Sequence, residues 1–75
     1  MTKEQSAQRI GQRIADLRKQ QGLTQQELAD VSNIGRSHLV RIEQGKYNVR
    51  LDTIASIAQA LGCEVSITPI KHIKQ

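Results

Sequence analysis

The stretch Gln25 to Glu43, QQELADVSNIGRSHLVRIE, followed by QGKYN at 44–48, decides the fold of this chain. Leu28, Ala29 and Val31 supply the apolar contacts of one short helix. Leu39 and Ile42, three residues apart, supply the inward face of a second. Between them Ser32-Asn33 interrupts the pattern, and Asn tolerates the left-handed backbone that a sharp turn needs. Gly35 serves as the N-cap of the second helix, a weaker cap than Ser or Thr, and Gly45 ends that helix after Gln44. With Leu39 and Ile42 turned inward, Arg36, Ser37, His38 and Arg41 are left on the outward side. The expectation is a tight helix-turn-helix that holds one polar face rigidly outward.

The flanks fit around this pair. Upstream, Ile10, Ile14 and Leu17 recur at three- and four-residue spacing, with Ala7 and Gly11 nearby. They predict an amphipathic helix capped by Ser6 and closed at Gln21 by Gly22, with residues 1–5 frayed. Thr24 then caps the next helix, and Glu27 three residues on completes a capping box. Downstream, 46–50 reads as a polar loop. A fourth helix runs over 51–61 with Leu51, Ile54, Ile57, Ala58 and Leu61 as its buried set, ended by Gly62. The pattern then changes: in Cys63-Glu64-Val65-Ser66-Ile67-Thr68 apolar and polar residues alternate, and Pro69 stops the run. That is a strand signature, and a lone strand has no partner for its backbone groups. The same strand of a second copy, antiparallel across a two-fold axis through Cys63, Val65 and Ile67, solves this; an extended tail packed on the helices is the alternative. Residues 71–75 read as loose. The fold expected is therefore all-α, four helices with a short C-terminal β-strand, in a single domain 1–75 whose core spans about 6–62.

Seventy-five residues allow one thin core, which is aliphatic because Tyr47 is the sole aromatic residue. Cys63 is the sole cysteine, so a disulfide within the chain is excluded and a reducing, cytoplasmic setting is expected. No apolar run is long enough to span a bilayer, and MTKEQSAQRI lacks the apolar centre of a signal peptide. Net charge is +4, from 11 basic and 7 acidic residues, which favours a polyanionic partner. The charge is concentrated: Arg36, Arg41, Lys46 and Arg50 stand against the single acid Glu43 between positions 36 and 50. The scarcity of aromatic rings argues against stacking single-stranded bases. A rigid helix with a basic, polar face suits the major groove of double-stranded DNA, where Arg grips guanine O6 and N7 and Ser bonds several bases. His38 can donate to an acceptor, a less definite role.

Three blocks carry a family resemblance: RIADLRKQQGLTQQELA, RIEQGKYN and LDTIASIAQALG, with landmarks Gly22-Leu23-Thr24-Gln25, Leu28-Ala29, Ile42-Glu43 and Gly45. From about Ile10 to Leu61 the chain resembles the lambda-repressor-like helix-turn-helix family, the XRE or Cro/repressor group. The position-by-position reading agrees: Ala29 is small where the helices cross, and Leu28, Ile34, Leu39 and Ile42 set their angle. The resemblance implies that Gln25, opening the second helix, contacts the DNA backbone, as free N–H groups at a helix start also suggest. Gln44 and Lys46 look like further phosphate contacts, and Tyr47 is either another or part of the core. Arg18 and Glu43 match a pair that forms a salt bridge in relatives.

Departures from the family pattern are Asn33 for the usual glycine, Gly35 for a Ser or Thr cap, and Ser32 for an apolar residue, for which Val31 compensates if it shifts. Val40 is a surplus apolar residue that reaches a thymine methyl or faces protein. The strand-like tail is similar to that of some antitoxin-type repressors. The function expected is thus a homodimeric, sequence-specific DNA-binding regulator, a repressor. The alternative is an antitoxin-type module that binds a cognate partner protein such as a toxin and autoregulates its operon. Catalysis has no foothold: His38 and His72 are far apart, Cys63 reads as a small apolar residue, and no metal-ligand or phosphate-loop motif is present. No metal and no cofactor are expected.

Overall fold

Most helix boundaries follow from a local signal. In the computed structural model, which describes residues 2–46 and 48–67, α1 spans Lys3–Gln20, α2 Gln25–Ser32, α3 Arg36–Glu43 and α4 Leu51–Ala60. Thr24 Oγ1 accepts from the Glu27 backbone N–H at 3.0 Å while the Glu27 carboxylate accepts from the Thr24 N–H at 2.8 Å, closing the expected capping box. Ser6, however, is not a cap. Thr2 and Gln5 form a second capping box, with reciprocal bonds of 3.1 and 2.9 Å, and start α1 at Lys3. Two of the four orphan N–H groups of the helix start are satisfied this way, so the first residues are helical rather than frayed.

The helix ends share one construction. After α3, the Gly45 N–H donates to Ile42 O and the Lys46 N–H to Arg41 O, a Schellman closure with Gly45 at φ +71°. Asn33 does the same job after α2 at φ +60°, its N–H donating to Asp30 O and that of Ile34 to Ala29 O. Asn33 therefore adopts the left-handed backbone that the turn requires. Gly35 caps α3 by backbone alone, as expected for a residue with no side-chain acceptor.

The helices meet around one aliphatic core of Ile14, Ala15, Leu28, Ala29, Leu39, Ile42, Ile57 and Leu61, of which Leu28, Leu39 and Ile57 are fully enclosed. Leu17, Leu23, Ile34, Val49, Ile54 and Ala60 pack against its margin. α3 lies against both α1 and α2, and α4 covers the other side of α2. The α1–α3 crossing is close: a Cβ at Gly11 would collide with the carbonyl oxygens of Ile42 and Glu43, backbone that has no room to yield. Gly45 is also tight, its would-be Cβ 2.7 Å from the Cα of Gln8. At the far end of α1, Gln21 Nε2 donates to Leu61 O at 2.7 Å and ties α1 to the end of α4.

Three apolar residues expected inside are not. Leu51, 71% exposed, occupies the first turn of α4, which overhangs the core. Val31 is 65% exposed, because the buried arc of α2 passes through Leu28, Ser32 and Ala29 and leaves Val31 beside it. It therefore does not replace the apolar packing missing at Ser32, which is itself buried with an Oγ that has no hydrogen-bond partner. Ile10, 43% exposed, borders an open groove between α1, α4 and the segment after Gly62. Residues 63–67 form no strand in the single chain. Val65 and Ile67 are exposed. The ladder expected there needs a second strand. Thr68, Pro69 and the loose tail expected at 71–75 lie outside the described residues, as do Tyr47 and His72.

Candidate nucleic-acid interface

α3 is two turns long, and its two faces differ sharply. Leu39 and Ile42 are enclosed against α1 and α2, whereas Arg36, Ser37 and Arg41 are exposed. Gln44 and Lys46, just beyond the helix, are exposed too. These five residues form a continuous polar rim along one side of the helix and around its end. His38 departs from the expected face: four residues before Ile42, it lies at the margin of the buried stripe and is half-buried. Its place is thus beside the α3 packing surface rather than at the crest of the rim. Val40, also half-buried, faces neighbouring protein in part.

The end of α3 is locked by an ion pair that joins it to α1. Arg18 Nε donates to Glu43 Oε2 at 2.8 Å and Arg18 Nη2 to Glu43 Oε1 at 3.1 Å, a bidentate pair whose side chains retain only 10% and 7% of their surface. The third donor, Arg18 Nη1, bonds Leu23 O at 2.9 Å in the α1–α2 turn. The pair implied by the resemblance therefore forms. Hydrogen bonding to Glu43 raises the Arg18 pKa above its ordinary value against the opposing effect of burial, and the charge of Glu43 adds to the rise. A raised basic pKa contributes stability in full below the unfolded value and loses it only as pH passes the folded one, so this pair holds across the whole neutral range.

Gln25 is part of the same network. Its Nε2 donates to Glu43 Oε1 at 3.1 Å, so the first residue of α2 is tied to the last residue of α3. Glu43 thereby does two things: it spends its charge on Arg18 and fixes the amide of a residue expected to meet phosphate.

Two features of this region escaped sequence reasoning. One is the Gln25–Glu43 bond, a contact between residues 18 apart. The other is the helical start at Lys3, whose signal, Thr2-x-x-Gln5, was present in the sequence as a capping box. Cys63, Val65 and Ile67, expected at a subunit contact, are all exposed and stand apart from the α3 rim. Among the described residues no three His, Cys, Asp or Glu side chains gather as ligands of a metal ion would, and none of the described helices is long and apolar enough to cross a membrane.

Comparison with known proteins bears on this arrangement. A family model described as Helix-turn-helix matches residues 14–67. The immunity repressor protein of Bacillus phage phi105 is 47% identical over 57 residues, covering 76% of this chain and 40% of the phage protein. The chain thus spans less than half the length of that relative. An uncharacterized HTH-type transcriptional regulator of Sinorhizobium fredii, y4mF, is 36% identical over 58 residues, with 77% of this chain and 76% of the relative covered. Among solved structures, the restriction-modification controller protein C.AhdI from Aeromonas hydrophila superposes with a TM-score of 0.76 at 39% identity, over 79% of this chain and 89% of that one. The matched span takes in α2, the turn and α3 whole, together with the enclosed residues that set their angle, and on this ground the chain belongs to the lambda-repressor-like helix-turn-helix family.

Proposed function

We propose that this chain is a sequence-specific double-stranded-DNA-binding transcriptional regulator, a repressor that lays α3 in the major groove. The carrying observation is the division of α3 into an enclosed apolar side and an exposed side bearing Arg36, Ser37 and Arg41. In this reading Arg36 and Arg41 read base edges, Ser37 adds an adaptable hydrogen bond, and half-buried His38 supports the helix edge. Gln25, Gln44 and Lys46 hold phosphates and set the register of the helix on the duplex. The cationic rim favours DNA over a toxin-like protein partner, since a polyphosphate backbone is its natural complement. The setting that goes with this reading is the cytoplasm, where the target DNA lies.

The acting unit in this reading is a homodimer. The exposed, alternating Val65 and Ile67 pair antiparallel with the same segment of a second copy, with Cys63 at the edge of the contact. Two recognition helices then meet half-sites about 34 Å apart, one helical turn of DNA. Selection of bound duplexes from a random pool tests the whole scheme: a short palindromic or near-palindromic site is the expected product. Gel-shift titrations then assign roles. Arg36→Ala and Arg41→Ala each weaken cognate binding by about 1–3 kcal/mol and relax one base position, while Lys46→Ala weakens all sequences alike. Equal losses on cognate and random DNA for both arginine variants would overturn the base-reading assignment.

A further inference from the structure

The loop that follows α3 does not stand alone. Lys46 and Asn48 face a groove of about 260 Å³ whose other wall is the first turns of α1, Lys3, Glu4 and Ala7, with Gly45 at its base. The wall is rigid for two reasons already described. The Thr2–Gln5 capping box makes Lys3 a helical residue, and the close approach of Gly45 to Gln8 presses α1 onto the end of α3. Lys3 and Lys46 are both exposed, so two ammonium groups from elements 43 residues apart in sequence border one groove. The groove begins where the proposed DNA-reading helix ends.

We propose that this groove seats the sugar-phosphate backbone of the duplex, with Lys3 of α1 as a phosphate contact beside Lys46. The inference rests on the reading of α3 as the groove-bound helix and extends its footprint by one phosphate. The helix that enters the major groove must leave it across the backbone, and its exit is the Gly45–Asn48 loop. The cations bordering that exit on both sides match the charge that passes there. Glu4, in the same wall, opposes the contact, and the site is therefore a tuned one: its net charge is that of two lysines against one carboxylate. Phosphate contact carries no base identity, so Lys3 contributes affinity to every sequence equally.

The test is the salt dependence of binding of the full chain to a selected cognate duplex and to a random one. Lys3→Ala is expected to flatten the slope of log K against log salt by about 0.9, and to weaken binding to both duplexes about eight-fold at 0.1 M salt, the yield of one released counterion. Lys3→Arg keeps the slope, and Glu4→Gln tightens both complexes. Lys19→Ala, at the other end of α1, serves as the control and leaves the slope unchanged; equal melting temperatures for wild type and Lys3→Ala exclude loss of fold as the cause. A Lys3→Ala slope equal to that of wild type overturns the inference, as does a loss confined to the cognate duplex. If Arg36→Ala still relaxes one base position while Lys3→Ala changes nothing, only the groove assignment falls. If neither variant alters binding, the reading of α3 falls with it.

Discussion

The helix α3, proposed to read DNA, and the segment 63–67 stand at opposite extremes of this small molecule. α3 is enclosed on one side by Leu39 and Ile42, pressed by the backbone of α1 at Gly11, and pinned at its last residue by three side-chain donors from Arg18 and Gln25. The segment 63–67 has none of this: Val65 and Ile67 are exposed and its backbone pairs with no strand. A helix satisfies its backbone internally and needs only one apolar stripe to be placed by its neighbours. A strand must find its hydrogen-bond partners elsewhere, and a 75-residue chain with four helices holds no second strand to offer among its described residues. α3 is thus complete in one copy, whereas the proposed ladder of the tail requires a second.

The contrast is open to attack from its strongest point downward. Glu43→Ala strands the Arg18 guanidinium in a site that leaves it 10% exposed and is expected to cost about 3–5 kcal/mol, read by urea or thermal unfolding. Replacing both partners by apolar residues restores much of the loss, which separates the penalty of a lone buried charge from the worth of the pair. Leu39→Ala, emptying a fully enclosed site under α3, is expected to cost about 2–5 kcal/mol by the same measurement. Gly11→Ala forces the α1–α3 crossing apart and is expected to cost about 1–3 kcal/mol. Its second readout is loss of cognate DNA binding in the fraction that remains folded, since the helix angle itself shifts.

Ser32→Ala runs the other way. It removes a buried hydroxyl with no hydrogen-bond partner and places a better helix former in α2, and is expected to stabilise the fold by about 1 kcal/mol. A loss of stability would mean that the hydroxyl is satisfied in solution. The smallest effect on folding belongs to the tail: Ile67→Ser is expected to leave monomer stability within about 0.5 kcal/mol, because Ile67 is exposed. Sedimentation of the same variant is expected to show the dimer gone. A dimer that survives Ile67→Ser and Val65→Ser together refutes pairing through this segment.

Most of the helical frame was legible in the chain because its signals are local. The Thr24–Glu27 capping box, the turn at Asn33 and the glycines at 22, 45 and 62 each act within six residues, so reading them needs no knowledge of the rest. The first helix shows the same rule in the breach: Thr2-x-x-Gln5 was there to be read, and passing over it put the cap at Ser6 and hid Lys3. Errors of burial had another source. Leu51 and Val31 are apolar and helical, yet which arc of a helix is covered depends on where its neighbours lie. The half-burial of His38 has the same origin.

What the sequence alone determined is the set of four helices, most of their ends and the basic character of the stretch from Arg36 to Arg50, because periodicity, capping chemistry and charge are properties of neighbours in the chain. What only the tertiary structure decided is how those pieces meet: that Glu43, besides Arg18, holds Gln25, that Gly11 lets two backbones touch, and that Lys3 borders the same groove as Lys46. These are contacts between residues 18 to 43 positions apart, and no local rule ranks one such pairing above another until packing around Leu28, Leu39 and Ile57 has chosen the angles.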